Sequence, residues 1–123
     1  MPPSSPVVAP PSIAERLAET RARIQAAARD CGRDPTAITL VAVTKTQPWG
    51  RVKAILDAGQ AVFGENRVQE ADSRWGARES SGHRVELRLI GPLQTNKAEA
   101  ALARFDIIET LDRERLAEAL ARA

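Results

Sequence analysis

Thr39-Leu40-Val41-Ala42-Val43-Thr44-Lys45-Thr46-Gln47-Pro48 is the stretch that decides the fold. A run of β-branched and aliphatic residues reaches Lys45, and turn chemistry begins directly behind it. The run reads as a buried strand of the kind parallel sheets use. A parallel strand that ends in a lysine presents a primary amine at the mouth of an α/β fold. In barrels of that kind the chemistry collects at the carboxyl ends of the strands. The amine is then either a cation for an anionic ligand or a nucleophile that condenses with an aldehyde. A lysine amine attacks an aldehyde only when neutral, and burial at a strand end favours the neutral form.

Working outward, Ser12-Ile13-Ala14-Glu15 matches a capping box. Ile13, Leu17, Ile24, Ala28 and Cys31 follow at helical spacing, and Gly32 is a natural stop. Four strand-then-helix units come next. The first has a strand over 38–44 and a helix from near Pro48 to Gly59. The second has a short strand over 61–63 and a helix through Val68, Ala71 and Trp75. The third has a strand over 85–90 and a helix over 94–103. The fourth has a strand over 106–110 and a helix capped by Asp112 that carries Leu116 and Leu120.

Regular βα alternation predicts a parallel sheet with right-handed crossovers. An open doubly wound sheet and part of a (β/α)8 barrel both satisfy it. No Gly-x-Gly-x-x-Gly follows the first strand, which weakens the dinucleotide-binding version of the open sheet. Four units are half of eight, and the helical pattern runs to Ala123 without a Gly or Asn stop. The expectation is an α/β chain: an N-terminal helix plus four βα units, the front half of a (β/α)8 TIM-type barrel. Residues 1–11, rich in Pro and Ser, read as a disordered tail, and 12–123 as a partial barrel domain truncated at its C-terminus.

Composition narrows the function. The chain has 123 residues, 43% of them apolar, which suits one globular domain with a modest core. Aromatics are 3% and Tyr is absent, so few rings exist to stack on bases. A formal charge of +2, with arginines scattered among acids, reads as solvated helix faces and argues against nucleic-acid binding. No apolar run approaches a membrane span. Cys31 is the single cysteine, which excludes an intrachain disulfide and fits a reducing, cytoplasmic setting. It reads as a small core-facing or capping residue rather than a nucleophile, since His83, the one histidine, falls in a loop-like stretch. No metal-ligand cluster is present in the sequence.

The four strand ends supply Lys45, then Gly64-Glu65-Asn66, then the segment from Gly91 to Asn96, then Thr110-Leu111-Asp112. Asn66, Gln94 and Asn96 can hydrogen-bond a polar ring or a carboxylate, and Gly64 and Gly91 allow close backbone approach to a flat ligand. Each has a plainer reading. A lysine after a strand is usually a surface charge. Asn66 and Asn96 can cap the helices behind them. Glu65 and Glu70 sit where a helix dipole favours acids. Arg88, between Leu87 and Leu89, points to the barrel interior or pairs with an acid on a neighbouring strand.

Three blocks of the chain resemble the pyridoxal phosphate homeostasis family. They are Leu40-Val41-Ala42-Val43-Thr44-Lys45-Thr46-Gln47-Pro48, Phe63-Gly64-Glu65-Asn66-Arg67-Val68-Gln69-Glu70 and Leu89-Ile90-Gly91-Pro92-Leu93-Gln94-Thr95-Asn96-Lys97. The family is similar to the N-terminal barrel of alanine racemase, with the cofactor on a lysine after the first barrel strand. The resemblance implies a Schiff base between Lys45 and pyridoxal 5'-phosphate (PLP). It also implies a cofactor pocket lined by Asn66, Arg88, Ile90 and Gly91. The implied role is to bind, buffer and hand over PLP, with apo PLP-dependent enzymes as recipients and no turnover. The alternative is a fragment of a fold-type III enzyme such as an amino-acid racemase, against which the absence of tyrosine counts. Two positions depart from the family: Leu87-Arg88 stand where it often has an aromatic and a histidine, and Arg67 where Tyr is common. Family chains are nearly twice as long, and their second half is expected to bring the phosphate-binding loops.

Overall fold

The structure is a computed structural model that describes residues 9–76 and 84–123. It divides into two compact units, Met1–Ile38 and Thr39–Ala123. His83 and the first eight residues of the Pro/Ser-rich tail lie outside the described residues; Ala9 to Ser12 are exposed and without regular structure.

The first unit is built on α1 (Ile13–Asp30). The Ser12 hydroxyl accepts the Glu15 N–H at 3.1 Å, as the capping box predicts. Gly32 ends the helix with φ 74°, and the Arg33 N–H reaches back to the Ala28 carbonyl at 2.8 Å. Leu17 and Ala28 are buried. Cys31 is the C-cap and is exposed, so its capping role holds and its core-facing role does not. A 3₁₀ turn, Pro35–Ala37, follows. Asp34 caps it by accepting the Thr36 N–H at 2.9 Å and the Thr36 hydroxyl at 2.8 Å. These two donors, the amide first, hold the Asp34 carboxyl below the usual carboxylate range. A carboxyl lowered in the folded state favours folding above its unfolded pKa and loses that contribution as pH falls through the folded value. The Thr36 amide resonance is therefore expected to titrate with Asp34, below the ordinary carboxylate range. A Thr36 amide that titrates with an unperturbed carboxylate would break this account of the cap.

The second unit alternates strands and helices. They are β1 (Ala42–Val43), α2 (Trp49–Asp57), β2 (Val62–Glu65), α3 (Val68–Trp75), β3 (Glu86–Leu89), α4 (Ala98–Arg104), β4 (Ile107–Ile108) and α5 (Glu114–Arg122). Among the described residues the strands form one parallel sheet in the order β1-β2-β3-β4. Consecutive order with right-handed crossovers places the connecting helices on one face, the arrangement of half a (β/α)8 barrel. Period-two alternation then sorts the side chains. Phe63 is level with Leu87 and Glu65 with Leu89, all buried, and Phe63, Leu87 and Leu89 join Val52, Leu56, Trp75, Phe105 and Leu116 in the core. Val43, Gly64, Arg88 and Ile107 share the other face, where Val43 is 47% exposed.

Three of the four strands are shorter than the sequence predicts, and β2 runs one residue longer than its expected 61–63. The first ladder covers Ala42 and Val43 rather than 38–44. Its upstream end is replaced by a side chain, because the Gln60 amide donates to the carbonyls of Leu40 at 2.7 Å and Val62 at 2.8 Å. In β4 only Ile107 and Ile108 are paired in the ladder, with flanking bonds from Asp106 N–H to the Leu87 carbonyl and Glu109 N–H to the Leu89 carbonyl. Asp112 does not cap α5. Arg113 is the N-cap residue, and the Asp112 carboxylate instead accepts from the Arg113 guanidinium at 2.6 Å.

Candidate functional site

The carboxyl ends of the strands carry the predicted site residues. At the end of β1 the chain turns sharply, and the Gln47 N–H donates to the Thr44 carbonyl at 3.1 Å. Lys45 and Thr46 are the two central residues of that turn. Thr46 has φ 62°, a left-handed conformation that a β-branched residue rarely holds and that costs about 1–3 kcal/mol. Lys45 is exposed rather than buried, because β1 is an edge of the sheet among the described residues and the turn carries the side chain beyond the core. Its ammonium makes no hydrogen bond or ion pair with a described residue.

Beyond β2 and β3 lies a groove of about 730 Å³. Asn66, Ile90 and Gly91, three of the predicted cofactor residues, line it together with Gln94, Arg67 and Lys97. The charged residues in that lining are both cations, which favours an anionic ligand. Neither asparagine serves as a helix cap: α3 begins behind Arg67 and α4 behind Lys97, both without a side-chain cap bond. Lys45 and Arg88 are not part of the lining.

Arg88 is committed elsewhere. Its guanidinium donates to Glu109 Oε1 at 2.8 Å and to Glu86 Oε2 at 2.9 and 3.0 Å. Glu109 first and Glu86 second push its pKa above the ordinary arginine value. Arg88 thus pairs with an acid beside a neighbouring strand, as one sequence reading expects, while it sits at one register level with Val43, Gly64 and Ile107 on the sheet face opposite the core.

At both Gly64 and Gly91 the direction a Cβ would take is closed by protein. A Cβ on Gly91 would lie 2.1 Å from the Asn66 carbonyl oxygen, and one on Gly64 would lie 2.9 Å from Ile90 Cδ1. Gly91 is thus what lets the ends of β2 and β3 close on each other. The Thr110 hydroxyl, donating to the Gly91 carbonyl at 2.7 Å, ties in the end of β4.

Sequence reasoning missed Glu65. It is completely buried, not a solvated acid at a helix start. Its Oε1 accepts from the Thr44 hydroxyl and from Trp75 Nε1 at 3.1 Å, and Arg74 Nε lies 3.5 Å away. The available signal was the strand period, since Glu65 stands two residues after buried Phe63 on the same face. Among the described residues no group of three or more His, Cys, Asp or Glu could hold a metal ion, and no helix is long and apolar enough to cross a membrane.

No family model matches the chain. Among curated proteins it is 46% identical over 109 residues to the pyridoxal phosphate homeostasis protein of Escherichia coli, covering 88% of this chain and 47% of that protein. It is 36% identical over 111 residues to the protein of the same name from Vibrio alginolyticus, covering 89% of this chain and 48% of that protein. Among solved structures it is similar to PipY of Synechococcus elongatus with PLP bound, at 39% identity and TM-score 0.76, covering 90% of this chain and 47% of that one. An unknown protein from Bifidobacterium adolescentis matches at 34% identity and TM-score 0.81, covering 89% of this chain and 48% of that one. The chain spans about half the length of the relatives it matches. Over about nine-tenths of its length the chain is therefore similar, in sequence and in fold, to about half of a pyridoxal phosphate homeostasis protein.

Proposed function

We propose that this chain binds PLP through Lys45 and serves PLP homeostasis as a carrier rather than as an enzyme. The observation that carries the reading is a lysine, unpaired among the described residues, in the turn behind β1 of a fold similar to a PLP-bound structure. The residues suit the group: an exposed amine for the aldehyde, and, past the ends of β2 and β3, a groove with amide side chains and two cations for a polar, anionic ligand. Asn66, Ile90 and Gly91 are the proposed lining of the cofactor site. Lys45 would hold the cofactor through its amine, which would condense with the aldehyde carbon that the cofactor supplies, the aldehyde oxygen leaving as water with both amine protons. Release of PLP to apo-enzymes is the reverse, hydrolytic direction of the same exchange. No turnover is needed for this role, which fits relatives named as homeostasis proteins.

The test is to incubate the chain with PLP, reduce with borohydride and map the modified lysines by mass spectrometry. Labelling is expected at Lys45 on the order of tenfold over Lys53, which is exposed and paired with Asp57 at 3.1 Å. Lys45→Ala should lose that label and keep the background. Equal labelling of Lys45 and Lys53 would remove the basis for the reading.

A further inference from the structure

The Lys45 turn is gripped at both ends by side chains from elsewhere in the unit. Thr44, its first residue, is buried, and its hydroxyl donates to Glu65 Oε1. Gln47, its last, receives Arg74 Nη2 on its carbonyl oxygen at 2.5 Å. The two gripping groups meet, with Arg74 Nε 3.5 Å from Glu65 Oε1, and Trp75 Nε1 donates to that same oxygen. Glu65 is 0% exposed, and its second oxygen, Oε2, is buried without a hydrogen-bond partner among the described residues. A buried carboxylate left partly unsatisfied is a poor way to stabilise a core, where an apolar side chain of similar volume does better. Such a group is better explained by what it holds in place. What it holds is a turn whose third residue, Thr46, sits at φ 62°, a conformation that persists only when its surroundings over-determine it.

We propose that Glu65 and Arg74 are positioning residues for Lys45. They form an ion pair, Glu65 buried and Arg74 half-buried, that fixes the turn at Thr44 and Gln47 and so sets the direction in which the amine leaves the sheet. The proposal rests on the reading of Lys45 given above and assigns the groups that orient it. Neither residue touches the cofactor in this scheme. Each acts through a contact with the turn, Glu65 through a hydroxyl and Arg74 through a backbone carbonyl.

The experiment uses the full chain with Thr44→Val, which removes the hydroxyl at nearly constant shape, Thr44→Ser, which keeps it, and Arg74→Met. Two quantities are read: native-state hydrogen exchange of the Gln47 amide, and the Lys45-to-Lys53 ratio after PLP and borohydride. Thr44→Val and Arg74→Met are expected to speed Gln47 exchange about tenfold and to bring the labelling ratio toward one. Thr44→Ser should restore both. Unchanged exchange in both variants overturns the clamp. Faster exchange with an unchanged labelling ratio overturns its role in orienting Lys45. A parent chain that labels both lysines equally defeats the PLP reading instead, and the exchange measurement still decides whether the clamp holds the turn.

Discussion

Trp75→Ala is expected to abolish cooperative unfolding of the second unit. The indole is completely buried. It lies tilted against Phe63 at 4.8 Å between centroids and edge-on to Trp49 at 5.3 Å. Truncating a buried tryptophan costs about 3–5 kcal/mol through lost transfer and the cavity left behind. Here the loss is larger, because the Trp75 N–H also donates to the fully buried Glu65 carboxylate. Removing one partner of a buried charged hydrogen bond adds about 1.5–3 kcal/mol. Together these approach the whole stability of a small domain, about 5–15 kcal/mol. Trp75→Phe narrows the loss, since it keeps an aromatic ring while removing the donor and the five-membered part of the indole. Urea unfolding followed by far-UV circular dichroism should show no sigmoidal transition for Trp75→Ala and a shifted one for Trp75→Phe. A Trp75→Ala midpoint close to that of the parent would contradict the packing described for Phe63, Glu65 and Trp75.

Gly91→Ala should be the more damaging of two alanine substitutions at buried glycines. At Gly91 the new methyl would lie 2.1 Å from the Asn66 carbonyl oxygen and 2.8 Å from two further backbone atoms of Asn66. No rotamer change relieves a clash with backbone, so the ends of β2 and β3 must separate. That movement also pulls on the Thr110 hydroxyl bond to the Gly91 carbonyl. Overpacking costs about 1–3 kcal/mol where side chains adjust and more where the backbone must move, so about 3 kcal/mol or more is expected at Gly91. At Gly64 the obstacles are the Ile90 and Val41 side-chain ends, at 2.9 and 3.0 Å, which can turn aside. Gly64→Ala should cost about 1–2 kcal/mol. The same urea titration compares the two, and equal midpoints would reject the backbone clash. Because Asn66 and Gly91 both line the groove, Gly91→Ala should also lower Lys45 labelling if the groove receives PLP.

Much of this was legible along the chain. Hydrophobic periodicity and turn residues placed the βα units, and the strand ends gathered Asn66, Ile90 and Gly91 at one groove. Those features are local, set by neighbours within one turn or one strand. What escaped was tertiary. The burial of Glu65 depends on Thr44 and on Arg74 and Trp75, which arrive from a different strand and from the following helix. The need for glycine at position 91 comes from the backbone of Asn66, just past the end of the adjoining strand. The exposure of Lys45 follows from an edge and a turn, neither of which the run of apolar residues before it reveals. Asp112 was read as a cap because its type and place were right, yet the adjacent Arg113 took its carboxylate.

The order of the sheet has a consequence for synthesis. Each strand pairs with its predecessor across roughly twenty residues of chain. Among the described residues each of β2, β3 and β4 pairs with the strand made just before it, and each new helix follows a ladder begun one unit earlier. Such a molecule can assemble vectorially as it emerges from the ribosome, its apolar strands hidden almost as fast as they are translated. The same short closures keep contact order low for a parallel sheet, so the topology that spaces Lys45, Asn66 and Gly91 along one rim also lets that rim be laid down in sequence, from amino to carboxyl end.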